Sequence, residues 1–175
     1  MIALISGFYN NISERLPMIE LRRQAALVGL LRPVTYQSTG NLVFDAAHHP
    51  ASIEEELTFA IWTSGFDIRT FVRTRNELAT IVASCPFRDE EIRPSQLRVF
   101  FLERAPDPSE RDALLDTNWH DNAIHLRDRE LFVYLRSPES HVFSHFKRFE
   151  RTTGIAATAR NWNTVMQLHE LCQER

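Results

Sequence analysis

The order of its strand-like and helix-like segments constrains the fold of this chain more than any other feature. In the first half, short apolar or alternating segments predict four strands, at residues 2–6, 34–38, 41–45 and 68–73. A helical pattern that starts at Pro17 separates the first two strands. A second helix precedes the fourth strand, and the capping-box spacing of Ser52 and Glu55 predicts its start. This β-α-β-β-α-β order is that of a ferredoxin-like plait.

The second half repeats this order without an evident final strand. Thr74 and Glu77 form another capping box, which predicts a helix between the halves. A strand at residues 97–102 is followed by a helix that Asp107 begins, and then by a hairpin that turns at Asp128.

Two helical patterns close the chain. Phe143, Phe146 and Phe149 line one side of the first, and the last helix runs from about Asn161 to Cys172. We therefore predict an α+β fold of two ferredoxin-like, βαββαβ-type halves with antiparallel sheets, closed by a C-terminal helix. The chain would form a single domain, with a first plait (1–73), a connecting helix and loop (74–96), and a second plait with the C-terminal helix (97–175).

Composition argues against several classes of partner. The net charge is −3 at pH 7, with a similar balance in both halves, so no basic region predicts binding to nucleic acid or acidic membranes. No apolar segment approaches the ~20 residues of a membrane helix. Two cysteines do not make a disulfide framework, and the apolar start is too short for a signal peptide. We expect a soluble, cytoplasmic protein with no membrane partner.

Four segments of the chain match a known family in the correct order. They are residues 3–7 with 16–22, residues 35–44, residues 72–74 with 77–78 and 86–87, and residues 154–158 with 160–165. In these segments the chain resembles the domain of unknown function 1697 family. The resemblance implies a fold of paired ferredoxin-like units, and the family has no established general activity.

The chain departs from this family in three places. Where the family has an arginine and then Gly-Ile-Asn-Val-Gly-Gly, residues 6–12 here are Ser-Gly-Phe-Tyr-Asn-Asn-Ile. The family's Gln-Ser before Gly-Asn is replaced by Ser38 and Thr39, and its Ser-Lys-Leu after the last hairpin has no counterpart near residues 141–145. If the lost glycines, arginine and lysine bind an anion in the family, this protein has kept only some of the residues that bind it.

Two arginines lie directly before a predicted helix start, and the first of them also ends a predicted strand. Arg73 precedes Thr74, and Arg160 precedes Asn161 and Trp162. An arginine beside the N–H groups of a helix N-terminus suits a phosphate or a carboxylate. The alternative for Arg73 is an ordinary helix cap with a solvated side chain. Arg160 is the stronger candidate, because a cation at a helix N-terminus is unfavourable unless an anion lies there.

The loop after the first strand and the first hairpin add further candidates. Gly7 and Tyr9 lie in the polar loop, and Asn41 follows Gly40 in the hairpin. The alternative for Gly40 and Asn41 is a turn that requires positive φ. For a small carboxylate- or phosphate-bearing molecule, the predicted ligand-binding residues are Gly7, Tyr9, Asn41, Arg73, Arg160, Asn161 and Trp162. The sequence leaves open whether the protein is an enzyme.

The sequence predicts neither a metal site nor a cofactor. His141 and His145 have the spacing of two metal ligands on one helix face. However, no glutamate lies between them, and no third ligand is evident. Cys85 lies on an apolar helix face, so we expect it to be buried.

Two other functions remain alternatives. The aromatic helix from Phe143 to Phe149 would serve self-association as a homodimer, or contact with a protein partner. RNA binding on the sheet would require exposed aromatic side chains such as Tyr36 and Phe44. The slightly acidic balance of the chain argues against RNA.

Overall fold

The computed structural model describes residues 1–5, 16–87, 93–136 and 142–175. These residues form two compact units, one of Met1–Thr80 with Gln167–Arg175 and the other of Ile81–Met166. Each unit contains a four-stranded antiparallel sheet with helices. The predicted α+β fold with two antiparallel sheets and a C-terminal helix is therefore confirmed.

The sheet of the first unit has the strand order β2-β3-β1-β4. One face of this sheet packs against α1 and α2. Leu21, Leu57 and Ile61 of the helices are buried there, together with Leu42 and Phe44 of the sheet. The elements are β1 (Ile2–Ile5), α1 (Met18–Leu27), β2 (Leu31–Tyr36), β3 (Asn41–Asp45), α2 (Pro50–Thr63) and β4 (Thr70–Arg73).

The sheet of the second unit has the order β6-β7-β5-β8, so the strand order of the first sheet is repeated in the second half of the chain. Its core face packs against α4 and α5 through side chains such as Phe100, Leu114 and Phe146. Two helices, α3 and α6, run from one unit into the other. The elements are α3 (Arg75–Ala83), β5 (Leu97–Leu102), α4 (Pro108–Leu115), β6 (Ala123–Arg127), β7 (Glu130–Tyr134), α5 (Val142–Thr153), β8 (Ala157–Asn161) and α6 (Trp162–Gln173).

Strand β8 completes the second half, so the expectation that this half lacks a final strand was wrong. Thr158 and Arg160 are buried, whereas Ala157 and Ala159 are half-buried. The alternation of a strand is present, but the polar residues point to the more buried side. A search for alternating apolar residues therefore gives no signal here.

The starts of α3 and α2 can be compared with the two predicted capping boxes. Thr74 and Glu77 bond reciprocally at the start of α3, with distances of 2.7 and 3.1 Å, as their spacing predicts. The predicted start of α2 at Ser52 was wrong. The helix begins at Pro50, and the side chain of His49 accepts a hydrogen bond from the backbone N–H of Ala51 at 3.3 Å. Proline is well suited to a first helical position, so the helix extends upstream of the serine.

Glu110 makes the start of α4 sensitive to strongly acidic pH. Its carboxylate accepts hydrogen bonds from Arg104 at 2.7 Å and from the backbone N–H of Asp107 at 2.9 Å. These bonds, with the Arg104 guanidinium as the larger cause, lower the pKa of Glu110 to about 2. Because the folded-state pKa is depressed, the carboxylate stabilises the fold fully above its ordinary pKa of ~4.3. This contribution is lost as the pH falls toward about 2.

A carboxyl NMR titration tests this directly. The Glu110 midpoint should lie near 2 in the wild-type protein, and it should rise toward the ordinary glutamate value in Arg104→Ala. Equal midpoints in the two proteins would show that Arg104 does not set this pKa.

Candidate functional site

Arg73 and Arg160 occupy the same position in the two sheets. Arg73 lies opposite Ile2 in the pairing of β4 with β1, and Arg160 lies opposite Val99 in the pairing of β8 with β5. Side chains directly opposite each other point to the same side of a sheet. Both arginines therefore lie on the face away from the core that packs against α1 and α2, or α4 and α5.

Both guanidinium groups are buried, with exposures of 0% for Arg73 and 7% for Arg160. Arginine is rarely buried to this extent unless its charge and its donors are paired. The alternative of a solvated side chain, which the sequence left open for Arg73, is wrong. The reason is that each arginine belongs to a strand and points to a buried face of its sheet.

The two arginines also adopt the same conformation. In each, Nη1 donates to the carbonyl of the preceding residue, Val72 or Ala159, at 2.9 Å. Strands β4 and β8 are edge strands of their sheets. The backbone N–H of Val72 bonds to a side chain outside the sheet, so its carbonyl also points outward. The arginines thus supply donors to the outer edges of these strands.

Arg73 lies beside a carboxylate from α2. Its Nη1 is 3.8 Å from Oε1 of Glu54, and the same oxygen accepts the N–H of Val72 at 2.6 Å. One turn along α2, Oγ1 of Thr58 accepts the N–H of Thr70 at 3.1 Å. The side chains of Glu54 and Thr58 therefore bond to the backbone at the outer edge of β4, and the guanidinium of Arg73 lies beside Glu54.

Arg160 is bound by oxygen atoms of its own strand. Its Nη1 donates to Oγ1 of Thr158 at 2.7 Å, in addition to the Ala159 carbonyl. Thr158 lies two residues earlier on the same face of β8 and is itself buried. These two bonds fix the orientation of the guanidinium.

Asn161 and Trp162 lie next to Arg160 at the start of α6. Oδ1 of Asn161 accepts the N–H of Thr164 at 2.8 Å, so Asn161 caps the helix as predicted. Trp162 is half-buried, and its ring centroid is 6.4 Å from that of Phe132 on β7. Arg160, Asn161 and Trp162 are thus consecutive residues at the junction of β8 and α6.

Asn41 and Glu130 are the corresponding polar residues at the first positions of β3 and β7. Asn41 is buried opposite Leu4, and Glu130 is buried opposite Phe101. Glu130 therefore shares a sheet face with Arg160. Sequence reasoning missed it, because a glutamate next to a turn is usually solvated. Its place at the first position of an otherwise apolar strand was the available signal.

The side chain of Asn41 supports the turn interpretation. Its Nδ2 donates to the carbonyl of Tyr36 at 3.0 Å and to Oγ1 of Thr39 at 2.8 Å. The turn contains positive φ angles of 56° at Gln37 and 70° at Gly40. The amide of Asn41 thus holds together the connection between β2 and β3.

A family model for proteins of unknown function, DUF1697, matches residues 1–132. The chain belongs to the DUF1697 family. Three of the four segments that carry the sequence resemblance lie within this match, and the segment around Arg160 lies beyond it. No curated protein matches the chain.

The chain is also similar in structure to the conserved bacterial protein SP0830 from Streptococcus pneumoniae. The two share 17% sequence identity with a TM-score of 0.76, over 98% of this chain and 97% of that protein. At this identity the likeness shows the fold alone. The DUF1697 family model matches residues 1–132, and the structural likeness extends over nearly the whole chain.

Three residues considered from the sequence of this DUF1697 member, namely Gly7, Tyr9 and His141, fall outside the described residues. The ring of His145 on α5 is 5.2 Å from that of His120. The described part of the chain contains no group of three or more His, Cys, Asp or Glu side chains that would hold a metal ion. Cys85 is buried, as predicted, and its thiol donates to the carbonyl of Phe87 at 3.3 Å.

Apart from the half-buried Tyr36, the aromatic residues considered for the alternative functions belong to the cores of the two units. Phe146 and Phe149 are buried, and Phe146 stacks on Phe100 with a centroid distance of 4.8 Å. Phe143 packs against the same core, so this stripe is not an exposed interface. Phe44 is fully buried, so it cannot serve as a stacking platform for RNA. Within the described ranges, no helix has the length and apolar content that a membrane span needs.

Proposed function

We propose that this protein binds a small carboxylate- or phosphate-bearing molecule at the junction of β8 and α6, with Arg160 as the principal contact. The observation that carries the proposal is the buried guanidinium of Arg160, two residues before the start of α6, which Oγ1 of Thr158 and the Ala159 carbonyl hold in one orientation. The planar guanidinium matches a carboxylate or a phosphate in a bidentate pair.

The neighbours of Arg160 fit the same role. Asn161 shapes the first turn of α6, where backbone N–H groups and the helix dipole favour negative charge. Trp162 provides an apolar ring beside that turn, which suits the carbon skeleton of a small metabolite. Thr158 holds the guanidinium in one orientation, which lowers the entropy cost of binding.

A thermal-shift titration with inorganic phosphate and with citrate tests the proposal. A ligand that binds only the folded protein raises stability, by about 2.7 kcal/mol at one hundred times its Kd. We expect at least one of the two probes to raise the melting temperature of the wild-type protein. Arg160→Ala should lose this rise, and Arg160→Lys should keep only part of it, because lysine lacks the bidentate fork.

Arg73→Ala is the matched control, since it removes a buried arginine from the equivalent position. Its melting temperature should fall, but the probe should still raise it. Equal rises in the wild-type protein and in Arg160→Ala would refute the proposal. So would a loss of the rise in both alanine variants, because that would assign the effect to general destabilisation.

A further inference from the structure

The outer face of α2 carries two exposed aromatic side chains. Phe59 and Trp62 are 64% and 60% exposed, and their ring centroids lie 6.1 Å apart with an angle of 30° between the ring planes. At about 100° per residue, they fall on the side of the helix opposite Ile53, Leu57 and Ile61. Those three residues are fully buried in the core of the first unit. The packing of the unit therefore does not account for the aromatic pair.

Two neighbouring large aromatic rings in water are unusual for a helix whose core face is already complete. A single exposed apolar residue needs no explanation, but adjacent large ones mark an interaction surface. Aromatic side chains are enriched at protein interfaces, since they bury a large area at a small entropy cost. The pair thus points to a partner that covers it.

The charge around the pair indicates what kind of partner this is. Glu55 and Glu56 are exposed on the turn that precedes Phe59. Helix α2 contains three acidic side chains and neither lysine nor arginine, and the first basic residue after it is Arg69. The face of an aromatic ring attracts a cation, and nearby carboxylates add to that attraction. Glu54, the third glutamate in the run, is already engaged at the edge of β4.

We propose that the outer face of α2 binds a polypeptide segment that presents arginine side chains. One guanidinium stacks on Trp62 or Phe59, and another pairs with the carboxylate of Glu55 or Glu56. Glu55 and Trp62 are separated by roughly 10 Å along the helix. Arginines at alternate positions of an extended segment, about 7 Å apart, reach both. Arginine fits better than lysine, because its planar group both stacks on rings and binds carboxylates in a bidentate manner. This inference is independent of the Arg160 site.

The test measures binding of a short synthetic peptide in which arginine alternates with alanine, by calorimetry on the full chain. A peptide with citrulline in place of arginine is the matched probe, since it is neutral and nearly isosteric. The arginine peptide should bind the wild-type protein, more weakly as salt increases, and the citrulline peptide should bind far less. Trp62→Ala and Phe59→Ala should each weaken binding by about 2- to 5-fold, which corresponds to an exposed cation–π contact.

Control variants distinguish binding at this surface from nonspecific binding. Ile19→Ala removes an equally exposed apolar side chain from α1 and should leave the affinity unchanged. Glu55→Gln should weaken binding and reduce its salt dependence. Absence of binding to the wild-type protein, equal affinity for both peptides, or an unchanged affinity in both aromatic variants would each overturn the proposal. A concentration-dependent dimer of the protein alone that Trp62→Ala abolishes would overturn it too, because the face would then belong to a second copy.

Discussion

Replacing Arg73 with methionine should lower the free energy of unfolding by about 2–4 kcal/mol. Methionine retains much of the apolar stem, so the loss is mainly electrostatic. The variant removes the donor to the Val72 carbonyl and the cation beside Glu54, both at the edge of β4. A carboxylate that loses its cationic neighbour in a partly buried place is left with an uncompensated cost of desolvation.

Urea denaturation of the wild-type protein and the variant measures this loss. Arg104→Met is the control, because Arg104 pairs with Glu110 in an exposed position and such pairs contribute only about 0–1 kcal/mol. Combining Arg73→Met with Glu54→Gln should reduce the penalty, since the glutamine no longer requires a cation. A penalty for Arg73→Met no larger than that for Arg104→Met would show that the buried arginine is not a structural element of β4.

The features that the sequence predicted correctly depend on residues close together in the chain. The capping pair of Thr74 with Glu77 and the cap that Asp107 provides each join groups three residues apart, and both form as predicted. The hairpin turn at Asp128 has a positive φ angle of 50°, a conformation that aspartate tolerates. Local patterns of this kind, taken in order, were sufficient to predict the α+β class.

The features that the sequence missed depend on pairing between distant strands. Thr158 and Arg160 are polar, so nothing local identifies β8 as a strand. Its partner β5 lies more than fifty residues earlier in the chain and forms five residue pairs with it. The burial of Arg160 and Glu130 follows from that register and not from their neighbours in sequence. For this reason the candidate site could be predicted as a set of residue types but not as a buried sheet face.

The aromatic residues show the same division. The spacing of Phe143, Phe146 and Phe149 correctly indicates one side of a helix, but spacing does not say whether that side faces a core or a partner. The packing of Phe146 on Phe100 decides for the core. On α2 the aromatic side chains do not face the core, since Phe59 and Trp62 lie outside the apolar stripe and remain exposed.

Replacing Trp119 with alanine should cost about 3–5 kcal/mol of folding free energy. The ring is 5% exposed in the core of the second unit. Its Nε1 donates to the carbonyl of Leu114 at 2.8 Å, and its own carbonyl accepts from Nδ2 of Asn122 at 2.9 Å. Trp119 thus fixes the connection from α4 to β6, and truncation leaves both a cavity and a buried carbonyl without its donor.

Trp119→Phe separates these two contributions, because phenylalanine keeps most of the ring volume and loses the indole N–H. It should cost about 1–2 kcal/mol, close to the value of one buried hydrogen bond. Trp162→Ala is the matched tryptophan control. Its ring is only half-buried at the start of α6, so it should cost less than Trp119→Ala. Urea denaturation of the three variants ranks the costs. If Trp119→Ala were no more destabilised than Trp162→Ala, the loop that contains Trp119 would not anchor the core of the second unit.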